Sequence, residues 1–135
     1  MNFEYSEYVG PDGKTLYRPA IPIMFKNGKY YILVRAIIDS GADFTILPIE
    51  TAKQLDVKLD KKTVFYAAGG NQFSVYKSPI ELAYLVRKIG FRSITHKTIV
   101  YFAESQTTIL LGNHGFLDHL RITLNGPKKR IEIME

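Results

Sequence analysis

The residues of this chain that could do chemistry are concentrated in a short acidic segment after an apolar stretch. Asp39, Ser40 and Gly41 directly follow the apolar residues 36–38, and a second acid, Asp43, comes two residues later. A carboxylate placed behind buried residues must be desolvated or paired at a cost in free energy. The pattern is therefore typical of a strand that delivers an acid to a functional site, where a carboxyl group can act as a general acid or base. The alternative is that Asp39 only caps its own turn.

The segment around Asp39 resembles the active-site segment of retropepsin-like aspartic proteases. The matching residues are Asp39, Ser40, Gly41, Ala42 and Asp43, followed by Thr45 and Leu47. A second stretch, Ile-Leu-Leu-Gly at residues 109–112 with residues 115–118 after it, is similar to the family's apolar strand and short helix. Residues 67–71 lie between the two, where the family carries its flap. The three stretches occur in the family's order and account for nearly the whole chain.

The resemblance implies a role for each residue of the site. Asp39 is the catalytic acid, the Ser40 hydroxyl donates to the opposite loop, and Gly41 lets the backbone approach the carboxylate. The substrate-binding residues that it implies are Ala42, Asp43, Phe44, Gly69, Gly70 and Leu110, with Gly69 and Gly70 as hinge and tip of the flap. We also expect Ile46 and Val75 among the pocket walls, which favours substrates with apolar side chains near the cleaved bond.

The family's chemistry needs two carboxylates around one water, whereas this chain supplies a single Asp-Ser-Gly. Two carboxylates about 3 Å apart share one proton and titrate as a unit, as in aspartic proteases generally. Two chains related by a twofold axis would bring their Asp39 side chains together. We therefore expect a homodimeric aspartic endopeptidase that acts on a peptide or protein substrate without a metal or other cofactor. The alternative is a catalytically inactive module of the same fold that serves in dimerisation or peptide binding.

One position departs from the family pattern. Many retroviral relatives carry arginine after the glycine of the second stretch, where it pairs with the acid equivalent to Asp43. In this chain Asn113 follows Gly112. The support that arginine supplies must therefore be remade by other contacts or lost.

Composition narrows the remaining function classes. The 135 residues suffice for one domain, and the absence of cysteine excludes disulfides, thiolate metal sites and a cysteine nucleophile. The first residues lack a secretory signal and no apolar run reaches the length of a bilayer span, so we expect a cytoplasmic protein without a membrane partner. The net charge of +5 permits acidic partners, but the cations are scattered, which makes nucleic-acid binding the lesser alternative. His114, Asp118 and His119 lack the spacing of a metal site.

Apolar alternation punctuated by glycine and proline predicts a fold made mostly of strands. Asn27-Gly28 predicts a type I′ hairpin between strands at 21–26 and 30–38, and Pro48 predicts the start of a helix over 48–55. The other expected elements are strands at 63–67, 72–76, 80–87, 95–102 and 107–111, a helical turn at 116–120 and a hairpin of 121–124 with 130–133. The pattern favours an all-β half-barrel with one or two short helices, and the resemblance implies the acid-protease fold. We expect residues 19–135 to form a single domain and residues 1–18 an N-terminal extension.

Overall fold

The structure, a computed structural model, describes residues 1–59, 61–67 and 69–135. Most of the regular elements in this part of the chain are strands. They are β1 (Asn2–Glu4), β2 (Ser6–Val9), β3 (Thr15–Arg18), β4 (Ala20–Asn27), β5 (Tyr30–Ile38), β6 (Ile46–Pro48), β7 (Lys62–Tyr66), β8 (Gln72–Lys77), β9 (Leu82–Val86), β10 (Ile94–Thr98), β11 (Tyr101–Ala103), β12 (Ile109–Leu111), β13 (Arg121–Asn125) and β14 (Arg130–Met134). Helix α1 (Glu50–Gln54) follows β6, and a 3₁₀ helix (Leu117–His119) follows β12.

Nine of these strands form one mixed sheet in the order β10-β9-β4-β5-β12-β6-β11-β8-β7. A second sheet has the order β1-β14-β13, and β2 pairs with β3 as a separate hairpin. The expected all-β class is confirmed. None of the helices in the described part of the chain has the length and apolar character needed to cross a bilayer.

The β4–β5 hairpin is present, but its turn lies one residue later than expected. Asn27 is still paired with Tyr30, so Gly28 and Lys29 form the loop. Of these two residues only Gly28 has a positive φ, 59°, whereas a type I′ turn needs positive φ at both central positions. The Asn27 side chain donates to the Leu55 carbonyl oxygen at 2.9 Å, a long-range contact that accompanies its place inside the strand.

Strand β12 holds the middle of the large sheet, as its uninterrupted apolar sequence predicted. It runs parallel to β5, with Ile109 opposite Ala36 and Leu111 opposite Ile38. On its other side Leu110 lies opposite Ile46 of β6. Because the two parallel strands end at the same edge, the residues that follow β5 and the residues that follow β12 are brought together.

Two elements differ from the sequence prediction. The strand expected over 95–102 is divided into β10 and β11, because the chain leaves β9 and continues between β6 and β8. The helix expected from Pro48 begins at Glu50 instead, since Pro48 is the last residue of β6 and lies opposite Ala103. Neither change is visible in the local apolar pattern, because both depend on which distant strand supplies the hydrogen-bond partners.

The first residues of the chain pack onto its last strand. Phe3 of β1 lies opposite Ile131 of β14, and the Tyr5 N–H donates to the Lys129 carbonyl oxygen at 2.8 Å. Residues 6–18 form the β2–β3 hairpin. Ala68, which was expected in the loop between β7 and β8, lies outside the described residues.

The main core contains a polar cluster around a fully buried tyrosine. The Tyr84 hydroxyl lies 3.0 Å from Nδ1 of His119, and the two rings are stacked with centroids 6.0 Å apart. His96, the cross-strand partner of Tyr84, stacks on His119 at 4.6 Å. This contact fastens the 3₁₀ helix, and through it the segment after β12, to the large sheet.

Replacing Tyr84 with phenylalanine is expected to lower the free energy of unfolding by about 1 kcal/mol at neutral pH, because His119 loses a hydrogen-bond partner. Burial, then the charges of Asp118 and Glu135, raise the pKa of Tyr84 above its ordinary value. The folded state therefore holds this proton more tightly than the unfolded chain does. The contribution of the hydroxyl is complete below about pH 10 and is lost as the pH rises from there.

Urea denaturation of the wild type and Tyr84→Phe at about pH 7 and about pH 11 checks this prediction. The difference between their free energies of unfolding should narrow at the higher pH, whereas a difference that widens would contradict it. The other tyrosines are the same in both proteins, so the effect of their titration on the free energy of unfolding cancels in the difference.

Candidate active site

The Asp39 loop begins where β5 ends and is tied at once to the end of β12. The Asp39 N–H donates to the Leu111 carbonyl oxygen at 3.0 Å. The carboxylate accepts a hydrogen bond from the Gly41 N–H, which lies 2.9 Å from Oδ1, and the Ala42 N–H donates to the Asp39 carbonyl oxygen at 3.2 Å. The half-buried carboxyl group is therefore held in one orientation by its own loop. Ser40 is exposed, and its carbonyl oxygen accepts from Asn113.

The buried hydroxyl of Thr45 joins this loop to the segment after β12. Thr45 Oγ1 accepts a hydrogen bond from the Gly112 N–H at 3.2 Å and donates to the His114 carbonyl oxygen at 3.2 Å. The Thr45 N–H donates to the same carbonyl oxygen at 3.1 Å. Thr45 was matched to the family pattern but given no role. The available signal was a hydroxyl residue inside an otherwise apolar run, since a buried hydroxyl normally has partners.

Gly112 is the point where the two segments touch. A Cβ atom added there would lie 2.3 Å from the Phe44 carbonyl oxygen and 2.8 Å from that of Ala42. Both contacts are with backbone, which cannot move aside as a flexible side chain would. Glycine is required here because two backbone segments of the chain approach closely, and not because of its φ angle.

Asn113, the residue that departs from the family pattern, contacts the backbone of the Asp39 loop. Its Nδ2 donates to the Ser40 carbonyl oxygen at 2.9 Å, and its N–H donates to the Ala42 carbonyl oxygen at 2.9 Å. Asp43 is exposed, and within the described residues its carboxylate has no basic partner within 4.0 Å. Asn113 thus contacts the main chain of the loop and not the Asp43 side chain.

A cleft of about 780 Å³ opens beside Asp39. Of the residues expected to contact substrate, it is lined by Ala42, Asp43, Phe44, Ile46 and Leu110. Val75 is instead fully buried, in a small cluster with Ile46 and Ala103, because the inner face of β8 packs onto β6 and β11. Gly69 and Gly70 are exposed in the β7–β8 loop and are not among the residues that line the cleft.

Part of the wall of the cleft is aromatic, and of these side chains only Phe44 was foreseen. Phe65 of β7 stacks on Phe44 with ring centroids 5.2 Å apart, and both rings pack against Tyr101 at 4.8 and 4.7 Å. Phe73 meets the edge of Phe65 at 6.0 Å. The sequence placed Phe65 and Phe73 in strands, but only the packing of the β7–β8 hairpin over the Asp39 loop turns their side chains toward the cleft.

The rim of the cleft carries an oriented acid. Glu104, which is among the lining residues, accepts a hydrogen bond from the Tyr76 hydroxyl at 3.1 Å. This hydrogen bond, with smaller contributions from burial and from the charge of Glu104, raises the pKa of Tyr76. Tyr76 therefore remains a hydrogen-bond donor to Glu104 at neutral pH.

A second, more polar pocket of about 440 Å³ is also lined by Asp39. Arg18, from the end of β3, shares it with Asp39 and Leu110, and the remaining lining residues are Ile37, Ser105, Gln106, Thr107 and Thr108. The Arg18 guanidinium lies 5.0 Å from the centre of the Tyr8 ring, which holds it on the hairpin. Arg18 was not foreseen because it belongs to the segment set apart as an extension.

The fold and this site define a class of protein. Structural similarity extends to a retropepsin-like aspartic protease from Rickettsia conorii, at 18% identity and a TM-score of 0.57, over 99% of this chain and 98% of that chain. The retroviral protease-like domain of Ddi1 from Leishmania major is similar at 15% identity and a TM-score of 0.54, over 87% and 94% of the two chains. The EIAV protease complexed with the inhibitor HBY-793 is similar over 71% and 82%, at 21% identity and a TM-score of 0.46.

The fold is therefore the retropepsin-like fold. The sequence family described as aspartyl protease matches residues 21–114, which is more than half of the chain and includes both the Asp39 loop and Gly112. The chain belongs to this family of aspartyl proteases. A sequence comparison with curated proteins found no significant match.

Replacing Gly112 with alanine is expected to lower the free energy of unfolding by about 2–3 kcal/mol, because the new methyl group overlaps backbone atoms of Phe44. Gly126→Ala is the matched control, since a Cβ atom there would meet nothing within 4 Å. Urea denaturation of both variants measures the effect, and the control should stay within about 0.5 kcal/mol of the wild type. Equal stability of the two variants would show that the segments do not cross as described.

Proposed function

We propose that this protein is a homodimeric aspartic endopeptidase in which Asp39 of each subunit activates the hydrolytic water. The proposal is carried by one observation: a chain of the aspartyl protease family holds a single Asp-Ser-Gly acid, oriented by the Gly41 N–H, at the edge of a large cleft. One chain supplies half of the pair of carboxylates that this chemistry needs. A twofold axis beside Asp39 would supply the other half.

In the assembled pair the two Asp39 carboxyl groups share one proton. The ionised group takes a proton from the water as the water attacks the peptide carbonyl carbon, and the protonated group donates to the carbonyl oxygen. The Gly41 N–H keeps the carboxylate aimed at the water throughout. The Asp39 that took the proton from water then gives it to the leaving amine, while its symmetry mate takes a proton back from a hydroxyl of the tetrahedral diol as the C–N bond breaks, so the pair again shares one proton.

The walls of the cleft favour an extended peptide with apolar side chains. Phe44, Phe65 and Leu110 offer apolar surface next to Asp39, and the exposed Asp43 is placed to accept hydrogen bonds from substrate N–H groups. An extended substrate can add to the sheet as a further strand, so that main-chain hydrogen bonds supply affinity and alternate side chains enter the pockets. The loop between β7 and β8, which contains Gly69 and Gly70, would close over the bound peptide.

An inactive dimerisation or peptide-binding module remains the second candidate. It is favoured by the replacement of arginine with Asn113, which leaves the Asp43 carboxylate without a basic partner among the described residues. The two candidates differ in whether bound peptide is cut.

Asp39→Asn is expected to reduce peptide hydrolysis by about 10²–10⁴-fold, because an amide can neither take a proton from the water nor share one with its mate. The measurement is cleavage of a mixed peptide library from acid to neutral pH, read by mass spectrometry. Asp12→Asn, in the exposed turn of the β2–β3 hairpin, is the matched control and should cut at the wild-type rate. Cutting by Asp39→Asn at that rate would refute the assignment, and peptide binding without cutting by any of the proteins would favour the inactive module.

Mixing wild-type and Asp39→Asn subunits tests whether the site is shared. After subunit exchange in an equal mixture, about one quarter of the dimers contain two intact acids, so activity should fall to about one quarter of that of wild type at the same total concentration. If each subunit worked alone, about one half would remain. Sedimentation equilibrium of the same samples must show a dimer, and a protein that stays monomeric while cutting peptides would exclude the shared dyad.

A further inference from the structure

Asn113 makes two hydrogen bonds to one short loop, and together they enclose Gly41. The side-chain Nδ2 donates to the Ser40 carbonyl oxygen and the N–H donates to the Ala42 carbonyl oxygen, each at 2.9 Å. Between these two carbonyl groups the Gly41 N–H points the other way, to Oδ1 of Asp39 at 2.9 Å. One residue after β12 thus holds the loop on both sides of the donor that orients the acid.

The Ser40 carbonyl and the Gly41 N–H belong to the same peptide group. When the oxygen of a peptide group accepts a hydrogen bond, its N–H becomes a stronger donor, because hydrogen bonds in a chain polarise one another. The bond from Asn113 to Ser40 therefore strengthens the bond from Gly41 to Asp39. The effect favours the ionised carboxyl group, which is the form that accepts the hydrogen bond.

Asn113 is itself held in place from the other side. The Asp118 N–H donates to the Asn113 carbonyl oxygen at 2.9 Å, and the Leu117 N–H donates to the Gly112 carbonyl oxygen at 3.0 Å. These bonds come from the start of the 3₁₀ helix, which Tyr84 fastens to the large sheet. Asn113 is only half-buried, but hydrogen bonds hold the main chain of both residues next to it, Gly112 and His114.

We propose that Asn113 is a positioning residue that acts on Asp39 through the Ser40–Gly41 peptide group. The proposal rests on the proposed function, because it assigns Asn113 a part in the work of the catalytic acid. Asn113 is not among the described residues that line the cleft, so it acts on a substrate through the loop that it holds and not by direct contact.

Removing the donor should slow the reaction more than it weakens substrate binding. Asn113→Ala is expected to lower kcat by about 3- to 10-fold, the size of one lost hydrogen bond, with KM changed less than 2-fold. The pH profile of kcat/KM is measured alongside, and its shape in Asn113→Gln should return toward that of the wild type. Asn113→Asp, which has the same shape but no side-chain donor when ionised, should lose at least as much, and Asn113→Gln should recover part of the rate.

A second measurement does not depend on activity. In ¹⁵N-labelled protein the Gly41 amide proton should move upfield in Asn113→Ala and return toward the wild-type position in Asn113→Gln, because its chemical shift reports the strength of the bond to Asp39. Asn125→Ala is the control: its Oδ1 accepts from the Lys128 N–H at 3.0 Å in the β13–β14 hairpin, so it is a turn asparagine away from the site. It should leave both the rate and the Gly41 resonance unchanged.

The outcomes separate this proposal from the proposed function. If the wild type cuts no peptide but the Gly41 resonance follows Asn113 as expected, the coupling stands and the protease assignment falls. If the wild type cuts peptides while Asn113→Ala keeps its kcat, its pH profile and its Gly41 resonance, the coupling is refuted. Loss of activity that follows only the loss of folded protein, with the Gly41 resonance of the folded fraction unmoved, would also refute it, since it would show a merely structural role.

Discussion

The structure depends on the close crossing of two backbone segments, one that follows β5 and one that follows β12. Their separation is set by the missing side chain of Gly112, which lies where a methyl group would overlap the Phe44 carbonyl. Their relative position is set by the Thr45 hydroxyl, which accepts from one segment and donates to it again two residues later. A hydroxyl buried in this way would lose its hydrogen-bond partners if the two segments shifted, so the contact favours this register of the two segments over others.

The strands in the middle of the large sheet bring the two segments to this crossing. The parallel pairing of β5 with β12 brings both segments to one edge, and β6 returns alongside β12 to close the unit. The same crossing leaves Asp39 half-buried, with its N–H and its carbonyl oxygen both hydrogen-bonded. The acid is therefore held in one orientation while its carboxyl group stays in contact with water. The cleft is then completed by the β7–β8 hairpin, whose aromatic side chains pack onto Phe44.

Asn113 shows how a departure from a family pattern can leave the supported element in place. An arginine would hold the loop through the side chain of an acid, whereas Asn113 holds it through two main-chain carbonyl groups. Asp43 is exposed on the cleft, so its carboxylate lies on the surface that a peptide would meet.

Local patterns predicted those elements whose partners lie close in the chain. The last hairpin and, with its turn one residue later, the β4–β5 hairpin were found where alternation and turn residues indicated. Continuous apolar character also predicted the central place of β12, although its partners are distant in the chain. The prediction failed where a distant partner decides. The strand over 95–102 divides because the chain changes neighbours, and Val75 is buried because β8 packs onto β11.

By itself the sequence determined the candidate acid and the loop that carries it, because the single Asp-Ser-Gly and its apolar flank are properties of consecutive residues. Only the tertiary structure decided which groups hold that loop and which surround it. Thr45, Asn113, Phe65 and Arg18 reach the site from four separate parts of the chain. Their roles follow from hydrogen bonds and packing across the sheet, which act over distance in space and leave no periodic signal along the sequence.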